Sequence, residues 1–116
     1  MACDNRSSAV LAAVLATILS LTAFQARAGS RAVFVGLNTF DTKRNLRKPH
    51  FDANDLHEVS DAAGVVAKDR AEAITGRATR QSILDSIRKQ AQATQAGDLL
   101  IISYAGHGTD DGRIYA

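Results

Sequence analysis

Arg31 to Leu37 reads Arg-Ala-Val-Phe-Val-Gly-Leu, an apolar run rich in β-formers and without alternation. A strand buried on both faces has this pattern, as in a parallel sheet covered by helices. Asn38 to Pro49 is polar and charged and reads as a loop leaving the strand's C-terminal end. Asp52 to Ala63 carries Leu56, Val59 and Ala63 at helical spacing, with Gly64 placed to end the helix. Ala71 to Ile74 is a weaker strand, prefaced by Val65-Val66, and Thr75-Gly76 reads as a turn. Thr79 is suited to cap a helix with Ile83, Leu84, Ile87 and Ala91 on one face, and Gly97 sits where that helix should stop. Asp98 to Ala105 is the strongest strand of the chain. Gly106-His107-Gly108-Thr109 follows it, then a turn at Asp110-Asp111-Gly112, and Arg113 to Ala116 begin a further segment. Strand, helix, strand, helix, strand predicts right-handed crossovers and a layered α/β sheet. There are no internal repeats and no low-complexity tract.

The 116 residues make room for one domain at most. Ala9 to Phe24 is a run of 16 uncharged residues followed by Ala26-Arg27-Ala28, a small-x-small cleavage pattern. The run is too short for the roughly 30 Å apolar slab of a bilayer, so residues 1–28 read as a secretory signal peptide. The reading for location is an exported protein, periplasmic or secreted, with the membrane engaged only through this segment. The n-region is weak, Arg6 and the amino terminus being set against Asp4, which leaves an uncleaved anchor as the alternative. Without Arg6, Arg27 and Asp4 the formal charge of +2 falls to +1. The pI near 9.0 is therefore no nucleic-acid footprint. The one basic cluster, Lys43-Arg44 to Arg47-Lys48, reads as a solvated loop. The sole cysteine is Cys3, so residues 29–116 hold no disulfide, no thiol ligand and no thiol nucleophile.

Ligands of open parallel sheets gather outside the carboxyl ends of the strands. Asn38 to Pro49 and Gly106-His107-Gly108 both lie there. His107 offers a ring that titrates near neutral pH, held by a strand. The glycines beside it allow close backbone approach and unusual dihedrals, and the Gly108 amide is free to serve as an oxyanion donor. The bland alternative is a surface histidine in a glycine turn. His50 and His57 look ordinary, His57 lying exposed on the first helix. Asp110 and Asp111 with His107 suggest a small metal-dependent hydrolase, although Asp-Asp-Gly is also a common turn. A dinucleotide fingerprint and a Gly-x-Ser-x-Gly elbow are both absent.

Leu99-Leu100-Ile101-Ile102-Ser103-Tyr104-Ala105-Gly106-His107-Gly108-Thr109 resembles the histidine strand of the caspase and metacaspase cysteine peptidases, in which an apolar strand runs into Ser/Ala-Gly-His-Gly. Three upstream pieces agree in order. Arg31 to Asn38 is similar to the family's Ala-x-x-x-Gly-x-Asn strand. Leu46-Arg47 with Asp52-Ala53 is similar to its Leu-Arg…Asn-Asp-Ala helix entry. Ile74-Thr75-Gly76-Arg77-Ala78-Thr79, then Ile83-Leu84, is similar to its Leu-Thr-Gly-x-x-Thr…Ile-Leu. Lys48 and Phe51 depart from the Gly and Asn usual before the first helix.

The resemblance implies a three-layer α/β sandwich with a mostly parallel sheet flanked by helices, truncated to about three strands and two helices. Residues 29–116 would be a partial caspase-like peptidase domain. His107 would match the catalytic histidine, general acid and base toward the thiol and the leaving amine, and Gly108 an oxyanion-hole amide. The family's nucleophile is a cysteine in an Asp-x-Cys pattern on a following strand, so this chain would carry the histidine half of the Cys/His dyad only. The substrate would be a peptide or protein. No cofactor is implied, although Ca²⁺ is an analogy with metacaspases, many of which depend on it. Caspases cut after Asp and metacaspases after Arg or Lys, and a substrate role for Arg47 is the weaker alternative to a solvated side chain. The other reading is a catalytically inactive fragment or pseudo-enzyme that binds a peptidase partner. In either case strand Leu99–Ala105 would expose an edge able to pair with another chain, and so small a domain is expected to be poorly soluble or partly folded alone.

Overall fold

A computed structural model describes residues 29–116. Three strands form one parallel sheet in the order β2-β1-β3. They are β1 (Arg31–Leu37), β2 (Ala71–Gly76) and β3 (Leu100–Ala105). Helix α1 (Pro49–Ala62) joins β1 to β2, after which a short 3₁₀ turn at Lys68–Arg70 leads into β2. Helix α2 (Arg80–Ala93) joins β2 to β3. Among the described residues no helix is long and apolar enough to cross a membrane, and the expected signal segment lies outside them.

β1 is central because its sequence has no polar face. Ala32 through Leu37 are all buried. Ala32 and Phe34 pack with Ala53 of α1 and with Val66. Val33, Val35 and Leu37 pack on the other face with Ile83 of α2. The first crossover runs from β1 to β2 and the second runs the opposite way across the sheet, from β2 to β3, so crossovers of one hand put their helices on opposite faces. The result is the helix–sheet–helix sandwich that the sequence predicts.

The helices bury different stripes from those expected. Leu56 and Val59 of α1 are 43% and 62% exposed. Pro49, Ala53, His57 and Ser60 face inward instead. Small residues win that face because α1 begins directly on β1. A Cβ on Gly36 would overlap the Pro49 carbonyl and stand 2.9 Å from Ala53 Cβ. His57 is accordingly half-buried rather than exposed, with Nε2 3.1 Å from Lys68 O and its ring 6.4 Å from that of Phe34. On α2, Ile83, Ser86 and Gln90 are buried, Leu84 and Ile87 half-buried, and Ala91 exposed. The two buried polar side chains are satisfied: Ser86 donates to Glu72 of β2 at 2.6 Å, and Gln90 accepts from Arg31 at 3.2 Å.

Helix ends follow local chemistry. Thr79 and Ser82 form a reciprocal capping box on α2. Gly64, at φ +66°, ends α1 in a Schellman turn, with Gly64 N–H on Asp61 O and Val65 N–H on Ser60 O. Val65 and Val66 therefore turn rather than extend, and Val66 drops into the core. Thr75 and Gly76 belong to β2, their pairing carried on by Gly36 and Leu37. α2 ends before Gly97, at Thr94, whose hydroxyl bonds Gln90 O at 2.8 Å, and Gly97 sits in the next turn at φ +92°. β3 starts at Leu100, two residues later than expected. Among the described residues its outer edge pairs with nothing, and Leu99 and Ile102 are exposed there.

A β-branched residue usually strengthens a strand interior, and glycine weakens it. Gly36→Val should do the reverse and destabilise the chain by about 1–3 kcal/mol through overpacking against Pro49. Urea denaturation measures this, and an unchanged or raised midpoint would contradict the close approach.

Candidate functional site

The loops leaving the C-terminal ends of β1 and β3 meet at His107. The ring packs edge-on against Phe40, with centroids 4.7 Å apart, and Nε2 stands 2.6 Å from the carbonyl oxygen of Arg44. A carbonyl only accepts, so Nε2 is the donor here, and in the neutral form of the ring the lone pair is on Nδ1. A base oriented by a third group in this way is the arrangement found beside activated nucleophiles. His107 is half-buried.

The chain after His107 turns back on itself. Thr109 N–H bonds Arg113 O at 2.8 Å and Tyr115 N–H bonds His107 O at 3.0 Å, so Gly108 and Ile114 pair as antiparallel neighbours. In such a pair the ladder bonds belong to the flanking residues, and the amides of the pair point outward. The Gly108 N–H thus stays available as a donor next to the imidazole. Gly108 itself is exposed, and a Cβ there would meet only Arg113 O at 3.5 Å.

Tyr104 fixes this turn from below. Its hydroxyl lies 2.9 Å from His107 O and 2.6 Å from Tyr115 O. Neither Gly106 nor Gly108 adopts the positive φ that their flanking position suggested. Gly106 serves close approach instead, since a Cβ there would overlap the Tyr104 hydroxyl. Burial raises the Tyr104 pKa above its ordinary 10.0.

Asp110, Asp111 and Gly112 form the turn, Gly112 at φ +83°. Asp111 is held by the Thr109 hydroxyl and by Arg113 Nε at 3.1 Å. Among the described residues no group of three or more His, Cys, Asp or Glu is gathered to hold a metal ion. The trio of His107, Asp110 and Asp111 is not assembled as a ligand set, and these residues do not fit a Ca²⁺ site. Lys43, Arg44, Arg47 and Lys48 are solvent-exposed, as a solvated loop requires, with Lys43 Nζ 4.7 Å from the centroid of the Tyr115 ring.

The partners of His107 were hidden from pattern reading. Arg44 acts through its backbone oxygen, which no side-chain motif reports. Phe40 and Tyr104 look like ordinary apolar positions. His50, which reads as unremarkable, lies 2.9 Å from the Asn38 amide through Nδ1. The available signal was the Gly-x-Asn ending of the first strand.

Residues 30–116 match the family model described as the caspase domain. A relative, Metacaspase-1 of Candida albicans, is 32% identical over 84 residues, covering 67% of this chain and 19% of its own length. The chain thus spans less than a fifth of that relative. No solved structure matches.

Stability should lose the Tyr104 contribution as pH rises through 10.0 toward its raised folded value, and keep it fully below 10.0. Urea midpoints measured from pH 8 to 11 check this. Tyr104→Phe should flatten the alkaline decline, and an unaltered decline would remove Tyr104 from it.

Proposed function

The chain belongs to the caspase-domain family, and on that premise we propose that it carries the histidine half of a cysteine-type endopeptidase centre. The observation that supports this most is the pairing of His107 Nε2 with Arg44 O beside the outward Gly108 amide. Nδ1 takes the proton of a cysteine thiol, and the thiolate attacks the carbonyl carbon of a peptide bond. The resulting oxyanion is met by Gly108 N–H. Collapse of the tetrahedral intermediate breaks the C–N bond as His107 returns the proton to the leaving amine. Water, deprotonated by His107, then hydrolyses the thioester and regenerates the thiol. The thiol comes from outside residues 29–116, because Cys3 is the sole cysteine of the 116 residues and precedes the domain. No step uses Ca²⁺.

Export completes the reading. Residues 1–28 direct the chain across a membrane and are removed after Ala28, so N-terminal sequencing of the mature protein should begin at Gly29. Retention of Met1, or a start within the run Ala9–Phe24, would contradict removal there.

The purified 116-residue chain should show no peptide cleavage sensitive to thiol alkylation. A protein that combines residues 30–116 with an Asp-x-Cys strand should cleave peptides, and His107→Ala should slow it by about 10²–10⁴-fold. Cleavage by the chain alone that iodoacetamide abolishes would overturn the missing nucleophile. Full activity of the His107→Ala protein would overturn the role of the histidine.

The outer edge of β3, unpaired among the described residues and with Leu99 and Ile102 exposed, favours a second reading as a catalytically inactive partner of a peptidase. Co-purification with a peptidase that survives His107→Ala but is lost with Ile102→Lys would favour that reading over catalysis.

A further inference from the structure

The loop that holds the His107 ring is closed by one residue. Asn38 follows β1 directly, and each of its polar groups is engaged. Its main-chain N–H donates to Gly76 O at 2.8 Å, and its carbonyl accepts from Leu46 N–H at 2.8 Å. Its side-chain amide donates to Leu46 O at 3.0 Å, and the same nitrogen lies 2.9 Å from His50 Nδ1. Its side-chain oxygen accepts from His50 N–H at 3.0 Å. That last bond caps α1 from another element, where Lys48 offers no side-chain cap and Pro49 has no N–H.

These bonds fix orientations as well as positions. The amide oxygen must face the His50 N–H, so the amide nitrogen must face Leu46 O and Nδ1. His50 Nδ1 is then a lone-pair acceptor, and His50 is neutral with its proton on Nε2. Both contacts of the His107 ring arise inside the segment so closed. Phe40 lies two residues after Asn38, and Arg44 two residues before Leu46. A cross-loop bond from Phe40 N–H to Asn45 Oδ1, at 3.2 Å, ties the two halves together.

We infer that Asn38, with His50 as its neutral acceptor, is a positioning residue for His107: it sets the loop whose Arg44 carbonyl holds the proton on Nε2 and presents Nδ1 to the reacting thiol. Its relevance to catalysis rests on the reading of His107 as the general base. Asn38 touches neither His107 nor any reacting group, and it acts only through the loop.

The test reads the His107 Nε2 proton directly, in ¹H–¹⁵N spectra of the 116-residue chain labelled at histidine ring nitrogens. In the unaltered chain this proton should be observable and slow to exchange. His50→Phe should accelerate its exchange by about five- to tenfold, the effect of losing one ordinary hydrogen bond, and Asn38→Leu, which removes three side-chain bonds, should accelerate it more. His50→Gln, which keeps a neutral acceptor, should largely retain the slow exchange. The amides of Phe34 and Val35 in β1 report whether the core remains folded, and they should be unchanged in all three variants. If Asn38→Leu unfolds the core, the two His50 variants decide. An unchanged His107 proton in His50→Phe would overturn the inference. So would equal acceleration in His50→Gln and His50→Phe with the core intact, because an acceptor at residue 50 would then make no difference. The readout needs no cleavage. Failure of a protein that combines residues 30–116 with an Asp-x-Cys strand to cleave peptides, with this exchange pattern intact, would sink the peptidase reading and leave the clamp standing.

Discussion

β1 has both faces and both edges covered, and each other element takes its place from that. Six consecutive buried residues, Ala32 to Leu37, leave this strand no solvated side. It must lie between two strands and between two layers of helix. Gly36 sharpens the constraint by letting α1 start in contact with the strand. Once β1 is central and parallel to its neighbours, the loops after β1 and β3 emerge at one end of the sheet. His107 and the Arg44 carbonyl are brought together there from segments 63 residues apart.

The site is built mostly from backbone. A carbonyl orients the histidine, a glycine amide faces outward beside it, and a strand tyrosine ties the turn at two carbonyl oxygens. Backbone groups suit this purpose because their positions are set by the fold and not by side-chain rotamers. The side chains that matter most, Asn38 and Tyr104, serve to hold that backbone. This division of labour is consistent with caspase-domain membership and with a chemistry whose nucleophile lies on another segment.

The central strand, the order of elements, the Thr79 cap and the position of His107 were legible because each is written in consecutive residues or short spacings. The inward face of α1 was not. Leu56 and Val59 obey helical spacing yet stay exposed, because the space beside Gly36 admits only Pro49 and Ala53. Val65 and Val66 have strand propensity but follow the left-handed Gly64, and the Schellman turn overrides it. The resemblance to the caspase family supplied the proposed role of His107, and the fold supplied its partner. That partner is a main-chain oxygen of Arg44, a group every residue possesses, so nothing in the sequence could single it out.

The claim on which the account stands is that His107 is the base for a cysteine thiol. The direct measurement is the pH dependence of iodoacetamide alkylation of that thiol, in a protein containing residues 30–116 together with the nucleophilic cysteine. The account predicts a thiolate already formed near neutral pH, with a midpoint at or below about 7.5, and a shift toward the free-thiol value near 8.5 in His107→Ala. An identical profile with and without the imidazole would contradict it.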